Sequence, residues 1–388
     1  MAVKTYEFRV PSVILSGPDC VNNLGAEIKR LNKKKALLIT DEMMVKLGTA
    51  ERISNILKDS SIETTVYSGV GGEPTDKIVE EGLKYFKENN CDFVVGLGGG
   101  SPADTAKAVA IMATNPGKIS DYMGAEKVPN ACPPIVIIAT TAGTGTEITK
   151  FTIIADTEKD VKMLIGTTYC IPTIAVADPM LTVSVPPKGT AATGIDALCH
   201  AIESYVSKKA TPMSEFIALE AIKLISANLR VAWSNGADVD ARTNMMLGAT
   251  LAGIAFSNSS VTLIHGMSRP IGALFHVPHG ISNAVLLPVW AEYSYIGNPV
   301  KFAKVAEAMG ENIEGLSTLD AASLAAVAVK RLCEDIQIGT IGTLGIDKAK
   351  FEAAMPKMAN DAIASGSPGN NPRFATPDDI IALYKKAW

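Results

Sequence analysis

The sequence lacks the features that mark membrane, secreted and nucleic-acid-binding proteins. No apolar run reaches the length of a membrane-spanning helix, and the opening residues MAVKTYEFRV are too polar for a secretory signal peptide. The formal net charge is −4, which argues against a nucleic acid as a partner. We therefore expect a cytoplasmic protein that binds neither membranes nor nucleic acids.

Cysteine is scarce and irregularly spaced. Six cysteines occur in 388 residues, and no two form a CxxC pair. Disulfide frameworks belong mainly to small secreted domains, so we expect reduced thiols here. Hydrophobic residues make up 47% of the chain and charged residues 20%, as in ordinary globular proteins, and the length suits two or three domains.

The first half of the chain alternates short apolar runs with helical patterns. The runs KKALLITD, DFVVGLGGG, PPIVIIATT and TIAVADP each end in polar or glycine-rich residues, which is typical of buried parallel strands. The helical segments between them complete the pattern of a doubly wound sheet. The segment FTIIADTEKDVKMLIGT instead predicts a hairpin. Residues 1–186 are thus predicted to form an α/β dinucleotide-binding domain with a parallel sheet.

The second half has almost no strand-like runs. Long segments of helical spacing follow residue 186 and continue to the last residues, DDIIALYKKAW. We predict an all-α domain over residues 187–388. At the other end of the chain, YEFRVPSVILSG predicts a strand, which could pair across a homodimer.

A glycine-rich turn follows the second of the predicted parallel strands. The segment GLGGGSPADTAK predicts a helix with Ser101 as N-cap and Pro102 in the first helical position, and Asp104 three residues after the cap. Glycines let backbone N–H groups approach a phosphate at a helix N-terminus. The spacing departs from the usual dinucleotide fingerprint, so a tight turn without a ligand explains this motif equally well.

Two further features support a nucleotide site. The loop in IIATTAGTGTEIT follows another apolar strand and is rich in threonine, which suits the lining of a polar ligand. Asp41, at the end of the first predicted parallel strand, could accept hydrogen bonds from ribose hydroxyls and repel the 2′-phosphate of NADP. Its alternative role is to cap a helix.

Histidine is scarcer still, with four residues in the chain. Asp196 and His200 are four residues apart, so a helix would place them on one face, and His265 and His279 lie in one short later segment. One carboxylate with imidazoles suits Fe²⁺ or Zn²⁺. Each residue alone could be structural, but together they predict a metal site.

Taken together, GGGSPADTAK, TTAGTGTE, TGIDALCHAIE and HGMSRPIGALFHVPHG resemble the iron-containing (group III) alcohol dehydrogenase family. The resemblance covers nearly the whole chain and implies hydride transfer between NAD(H) and an alcohol or aldehyde, in a homodimer or larger homo-oligomer. It implies Asp196, His200, His265 and His279 as metal ligands. It also implies cofactor contacts from Asp41, Gly98, Gly99, Gly100, Ser101, Asp104, Thr140, Thr141, Thr144 and Lys162.

Three positions depart from the family pattern. Arg269 replaces a histidine often assigned to proton transfer, and a guanidinium is a poor base. Arg269 could instead pair with a carboxylate-bearing substrate such as a 4-hydroxy acid. Glu73 replaces an asparagine in a turn near the cofactor. His276 stands where histidine is unusual, and it could relay a proton or form part of the pocket wall.

Other functions stay open on the sequence alone. The substrate could be a small primary alcohol, a diol or a hydroxy acid. A zinc polyol dehydrogenase resembling glycerol dehydrogenase, or a lyase resembling dehydroquinate synthase, would use the same architecture. A metal- or nucleotide-binding module without turnover is a further alternative, against which the complete ligand set argues.

Overall fold

The computed structural model describes residues 5–159 and 161–388. The chain folds into two compact units. One unit, the α/β unit, comprises residues 10–182; the other, the helical unit, comprises residues 183–388 together with the described residues 5–9. The division falls four residues before the boundary predicted at 186, and the first residues group with the helical unit rather than with the α/β unit.

The α/β unit is built around a parallel sheet. Its strands are β1 (Val13–Ser16), β2 (Lys35–Ile39), β3 (Glu63–Tyr67), β4 (Phe93–Gly98), β5 (Gly124–Ala125), β6 (Ile135–Ala139), β7 (Phe151–Asp156), β8 (Val161–Gly166) and β9 (Ile174–Ala177). Six of them form one sheet in the order β1-β9-β6-β4-β2-β3, with every neighbouring pair parallel. The four strands predicted from apolar runs are confirmed, and β7 and β8 form the predicted antiparallel hairpin, which β5 extends.

Both faces of this sheet are covered, which explains why its central strands are apolar throughout. The helices are α1 (Leu24–Arg30), α2 (Glu42–Lys46), α3 (Thr49–Asp59), α4 (Asp76–Glu88) and α5 (Gly100–Thr114). Leu37 and Val94 belong to the core cluster that contains α4 and α5, whereas Leu38 and Val95 belong to the cluster with α1 and α3. Successive strand residues therefore alternate between two cores, and the carboxyl ends of the strands remain for a ligand.

The helical unit contains helices and no strand among its described residues. The helices are α6 (Pro187–Val206), α7 (Pro212–Ser234), α8 (Val239–Ser257), α9 (Leu263–Phe275), α10 (His279–Ser294), α11 (Pro299–Ala308), α12 (Thr318–Asp335), α13 (Lys348–Ala364) and α14 (Pro377–Lys386). The α6 helix packs against α7, α8 and α10, so most of its length is buried. Within the described residues, no helix is both long and apolar enough to cross a membrane.

The N-terminal segment differs from the prediction. Only Val13–Ser16 of YEFRVPSVILSG forms a strand, and it pairs in parallel with Ile174–Ala177 of the same chain. Pro11 precedes this strand and has no backbone N–H to donate to a ladder, so pairing begins after it. Arg9 is instead fixed by Asn258, which accepts from its N–H and donates to its carbonyl.

Candidate metal centre and cofactor loops

Three buried polar side chains lie on one face of α6. Asp196, His200 and Glu203 are spaced by four and three residues, so they project from successive turns in the same direction. Their exposed fractions are 2%, 5% and 0%. Buried groups of this kind need partners, because an isolated charge in an apolar interior is very costly. The α6 helix thus carries a polar stripe into the core of the helical unit.

Two other helices bring the partners. His265 lies in the first turn of α9 and is 3% exposed, and His279 is the first residue of α10. The ligand atoms of Asp196, His200, His265 and His279 all lie within 4.8 Å of one another. The structure therefore brings together the four residues that the sequence predicted as metal ligands.

The separations within the cluster suit a shared cation. His200 Nε2 lies 2.9 Å from His265 Nε2, and Asp196 Oδ1 lies 3.7 Å from His279 Nε2 and 3.9 Å from His265 Nε2. These three separations are within about 4.2 Å, the greatest distance between two ligands bound at about 2.1 Å to one ion. The His200 ring also stacks on Phe256, with centroids 4.2 Å apart, and this packing restrains its orientation.

Glu203 determines which nitrogen of His265 faces the cluster. Its Oε2 accepts a hydrogen bond from His265 Nδ1, so Nε2 presents a lone pair toward His200. Glu203 Oε1 accepts from the N–H of Thr262 at 3.0 Å, the Thr262 hydroxyl at 2.8 Å and the N–H of Ile264 at 2.8 Å. Although burial alone would raise the pKa of Glu203, His265 and Thr262 hold it below its ordinary value. The carboxylate therefore fixes both the ring and the start of α9.

Asn283, one turn after His279 on α10, holds the carboxylate ligand. Its Nδ2 donates to Asp196 Oδ1 at 2.6 Å and lies 3.1 Å from His265 Nε2 and 3.2 Å from His279 Nε2. Ligand atoms of Asp196, His265 and His279 thus converge on one amide nitrogen. The donor set fits a divalent cation such as Fe²⁺ or Zn²⁺.

His279 is the most exposed ligand of the cluster. Its side chain is 39% exposed. The inner side of its ring packs against His265 and Asn283, and desolvation there lowers the pKa of His279 to about 3, with His265, His200 and Arg269 acting in the same direction and Asp196 opposing them. A neutral imidazole is the form that binds metals, so this environment favours ligation over protonation.

Arg269 is a half-buried cation near this cluster. It lies one turn after His265 on α9, and its Nη1 donates to Ser367 Oγ at 3.1 Å. Burial lowers the pKa of its guanidinium, and the charge of Glu203 opposes that shift. Among the described residues, no carboxylate forms an ion pair with it within 4 Å. The guanidinium therefore keeps N–H donors that a bound anion could use.

His276 stands apart from the ligands. It is the C-cap of α9, has a positive φ of 54°, and is exposed. Left-handed backbone at a helix C-terminus is a structural role that any residue tolerating this conformation can fill. The proton relay suggested for His276 stays a prediction.

The glycine turn, residues 98–100, lies at the carboxyl end of β4. Gly98 has φ +146°, and a Cβ there would come within 2.6 Å of Pro102 Cγ, so glycine is required. The predicted N-cap Ser101 was wrong: α5 begins at Gly100 with Gly99 as N-cap, and no side chain caps it. The extended backbone of Gly99 lets the helix start earlier, and its first N–H groups lack a capping side chain, as an anion site requires.

The loop between β6 and β7, residues 140–150, is called the threonine loop and lies directly against this turn. Thr140 donates its N–H to Gly98 O at 3.0 Å. A Cβ added at Gly99 would lie 3.5 Å from Thr141 Oγ1, and one at Gly100 would lie 3.4 Å from Thr144 Cγ2. Two segments about 40 residues apart in the sequence are therefore neighbours, as the prediction of one nucleotide site requires.

The remaining predicted cofactor residues already have protein partners. Asp104 Oδ1 accepts from the Thr146 hydroxyl at 3.0 Å, and Oδ2 accepts from the N–H of Ile153 at 3.0 Å. Asp41 caps α2 by accepting from the N–H of Met44 at 2.9 Å, which is the alternative role that the sequence left open. These bonds fix both carboxylates in place.

Lys162 forms an ion pair that the sequence did not predict. Its Nζ lies 2.5 Å from Glu73 Oε1, and both side chains are partly exposed. Glu73 is the acidic residue that replaces an asparagine of the family pattern. A cofactor phosphate that contacts Lys162 would therefore compete with this carboxylate.

Comparisons with known proteins agree with this geometry. The family described as iron-containing alcohol dehydrogenase matches residues 11–179, and the C-terminal domain of Fe-containing alcohol dehydrogenases matches residues 190–388. The chain is 41% identical to 1,3-propanediol dehydrogenase of Klebsiella pneumoniae, with both chains covered completely.

Solved structures show the same relationship. A 1,3-propanediol oxidoreductase superposes with a TM-score of 0.96 at 41% identity, covering 99% of this chain and 100% of the other. Sulfoacetaldehyde reductase from Bifidobacterium kashiwanohense in complex with NAD⁺ superposes with a TM-score of 0.87 at 26% identity, covering 99% of both chains. These matches favour an alcohol dehydrogenase over the lyase alternative. The chain belongs to the iron-containing alcohol dehydrogenase family, whose members use NAD and iron to interconvert alcohols and aldehydes.

Proposed function

We propose that Asp196, His200, His265 and His279 bind one Fe²⁺ ion, with Zn²⁺ as the second candidate, and that the protein interconverts a small alcohol and its aldehyde with NAD(H). The convergence of the four ligand atoms within 4.8 Å carries this proposal. When bound, a divalent ion lowers the pKa of an alcohol and polarises an aldehyde carbonyl. Glu203 and Asn283 contribute by holding His265 and Asp196 in the orientation that ligation needs.

A substrate panel tests the reaction. Metal-free protein would be assayed with NADH and a series of aldehydes, before and after addition of Fe²⁺ or Zn²⁺. We expect turnover that depends on added metal and is highest with Fe²⁺. Turnover restored only by Zn²⁺, with polyols as substrates, would favour the zinc polyol dehydrogenase alternative. The absence of turnover with every metal and substrate would favour a binding module.

The cofactor is proposed to bind at the glycine turn and the threonine loop. Gly98, Gly99, Gly100 and Ser101 would hold the pyrophosphate through backbone N–H groups at the start of α5. Thr140, Thr141 and Thr144 would line the site, and Lys162 would contact a phosphate after leaving Glu73. The glycine turn and the threonine loop lie side by side, which supports this assignment. Asp104 has both oxygens engaged by protein donors, so we assign it to holding the loop.

Asp41 is proposed to select NAD over NADP. It caps α2 at the carboxyl end of β2, where a carboxylate would repel a 2′-phosphate. In Asp41→Ser, which keeps a helix-capping side chain, the ratio of kcat/KM for NADH to that for NADPH should fall. An unchanged ratio would remove this assignment.

Arg269 is proposed to bind an anionic group of the substrate. It is a half-buried cation without a carboxylate partner among the described residues, and it lies one turn from a metal ligand. A guanidinium pairs with carboxylates and sulfonates through parallel hydrogen bonds. The structural relative named sulfoacetaldehyde reductase acts on such an aldehyde. We therefore propose that the preferred substrates are aldehydes with a carboxylate or sulfonate at the far end. In the direction of alcohol oxidation, 4-hydroxybutyrate is one substrate of this class.

His276 keeps the two roles that the sequence left open, a proton relay and part of the pocket wall, and one variant separates them. Its variant His276→Asn keeps a side chain that tolerates the left-handed backbone, whereas alanine would add strain. If the pH–rate profile of His276→Asn equals that of the parent, the helix-capping role suffices. A lost acidic or basic limb would instead support the relay.

We propose that the protein is cytoplasmic and that it forms a homo-oligomer, each on a different observation. All six cysteines are free thiols, which suits the reducing cytoplasm. Among the described strands, β1 pairs with β9 alone, so one edge of the sheet is open for a second copy. We propose a homodimer or larger homo-oligomer. Light scattering after size-exclusion chromatography tests it, and a monomer at micromolar concentration would contradict it.

A further inference from the structure

One fully buried lysine forms hydrogen bonds with the backbone of the threonine loop. Lys107 is 0% exposed and lies in α5, two turns after the glycine turn. Its Nζ donates to the carbonyl oxygens of Thr146 at 2.7 Å, Thr149 at 2.8 Å and Phe151 at 2.9 Å. The hydroxyls of Thr146 and Thr149 lie 3.3 and 3.2 Å from the same nitrogen. An ammonium has three hydrogens, so the three carbonyls alone satisfy it.

Asp104 completes this arrangement from the previous turn of α5. Its carboxylate accepts from the Thr146 hydroxyl and from the N–H of Ile153. Burial lowers the pKa of Lys107, and the charge of Asp104 opposes that shift. Both ends of the segment from Thr146 to Ile153 are therefore hydrogen-bonded to charged side chains of α5, Lys107 and Asp104.

The threonines of the loop fall into two groups that differ in burial and in what they face. Thr146 and Thr149, which face Lys107, are 6% and 2% exposed. Thr141 and Thr144 are half-buried and lie against the glycines at the start of α5. A lysine side chain is costly to bury, and an apolar residue would fill the same core more favourably if packing were its only task. The ammonium is therefore best explained by the loop conformation it enforces.

We propose that Lys107 is a positioning residue for the cofactor. Its ammonium binds the backbone carbonyls of Thr146 and Thr149 in the threonine loop and of Phe151 at the start of β7, and so fixes the hydroxyls of Thr141 and Thr144 where the dinucleotide binds. The inference rests on the proposed assignment of this loop to the cofactor. It adds a residue whose effect on NAD(H) binding is transmitted entirely through the loop.

The test compares Lys107→Met with Asn115→Ala in the metal-loaded protein. Asn115 is 4% exposed, lies at the other end of α5 and forms side-chain hydrogen bonds with Ile111 and Asn130, so it matches the loss of buried polar contacts. NADH affinity would be measured by fluorescence titration, iron content by metal analysis, and exchange of the amides of residues 140–152 by mass spectrometry.

We expect Lys107→Met to raise the Kd for NADH by about tenfold or more, since several charge-assisted hydrogen bonds are lost. Amide exchange in the loop should accelerate, and iron content should be unchanged. Asn115→Ala should leave the Kd for NADH unchanged. Equal effects of the two variants, or an unchanged Kd with a protected loop in Lys107→Met, would overturn the proposal.

Two further variants keep the test decisive. If Lys107→Met does not fold, Thr146→Val removes the hydroxyl that lies 3.3 Å from Lys107 Nζ and donates to Asp104 at 3.0 Å. This variant loosens the same anchor of the loop and should raise the Kd for NADH several-fold; no change would count against the proposal. Thr141→Val tests the loop assignment itself. If Thr141→Val leaves NADH binding intact, the proposed cofactor site fails; if it weakens binding while Lys107→Met does not, the role of Lys107 alone fails.

Discussion

The candidate metal site and the proposed cofactor site are built in opposite ways. In the helical unit, side chains carry the chemistry: three helices each bring imidazole or carboxylate atoms to one point. In the α/β unit, the backbone provides much of the proposed site, through a glycine turn and a loop with two carbonyls that accept hydrogen bonds from a buried ammonium. Side-chain sites are sensitive to residue type, whereas backbone sites are sensitive to whatever fixes their conformation.

The two sites nevertheless share a device. Each uses a fully buried charged residue that lies behind the proposed binding groups: Glu203 behind His265, and Lys107 behind the threonine loop. Each of these residues forms hydrogen bonds with backbone groups as well as with side chains. The residues that bind and the residues that position them are thus separate in both units, and the variants below are chosen to separate their effects.

The largest effect should come from removing a metal ligand. His265→Ala should lose the bound metal and all metal-dependent turnover, because the remaining donors would leave an incomplete site and Glu203 would lose its imidazole partner. The Kd for NADH should stay at the parent value, since the cofactor is assigned to the other unit. Metal analysis and fluorescence titration measure the two properties. Retained metal and turnover would refute the assignment of the ligands.

A smaller effect is expected from the residue behind that ligand. Glu203→Gln should weaken metal affinity by about 10- to 100-fold, because outer partners of a ligand histidine typically contribute that much. Competition with a chelator measures the affinity, with Glu220→Gln, an exposed residue of α7, as the control. Turnover at saturating metal should recover substantially. Equal metal affinities in the two variants would show that Glu203 only supports the fold.

Arg269 should affect one class of substrate. In Arg269→Gln, the KM for an aldehyde with a terminal carboxylate or sulfonate should rise by about tenfold, the value of one charge-assisted contact. The KM for a neutral aldehyde of the same length should barely change, and Arg269→Lys should restore part of the loss. A parallel rise of both KM values would indicate a general disturbance of the pocket.

The smallest effect concerns the acid stability of the metal-free protein. Because the pKa of His279 is lowered to about 3 from an ordinary value of 6.5, the folded state binds fewer protons than the unfolded state between these values, and stability falls as pH falls below 6.5. His279→Gln cannot gain this proton. Between pH 7 and pH 5 its Tm should therefore decrease less than that of the parent. Identical decreases would mean that His279 does not contribute.

The sequence predicted the parallel sheet and the metal ligands for a common reason. Continuous apolar runs such as Phe93–Gly98 can only be covered on both faces, and a carboxylate and an imidazole four residues apart in a helix can only share a face. These inferences depend on local pattern. The comparisons confirm the family, and the cofactor contacts stay predictions.

The positioning residues were missed because burial is not local. The spacing of Glu203 places it on the face of α6 that carries Asp196 and His200, but helical spacing alone does not tell a buried face from a solvated one. Lys107 gives no such signal, because a lysine on a helix is usually solvated. Their roles appear only when α9 supplies backbone donors to one and the threonine loop supplies acceptors to the other. The N-cap of α5 was misplaced for a related reason: a run of glycines permits several starting points, and here the extended backbone of Gly99 starts the helix at Gly100.

X-ray absorption at the iron edge of the Fe²⁺-loaded protein tests the central claim most directly. We predict one iron per chain, with nitrogen and oxygen donors alone at about 2.0–2.2 Å and outer-shell scattering from three imidazole rings. Sulfur in the first shell, or scattering from fewer than two imidazoles, would contradict the site built by Asp196, His200, His265 and His279.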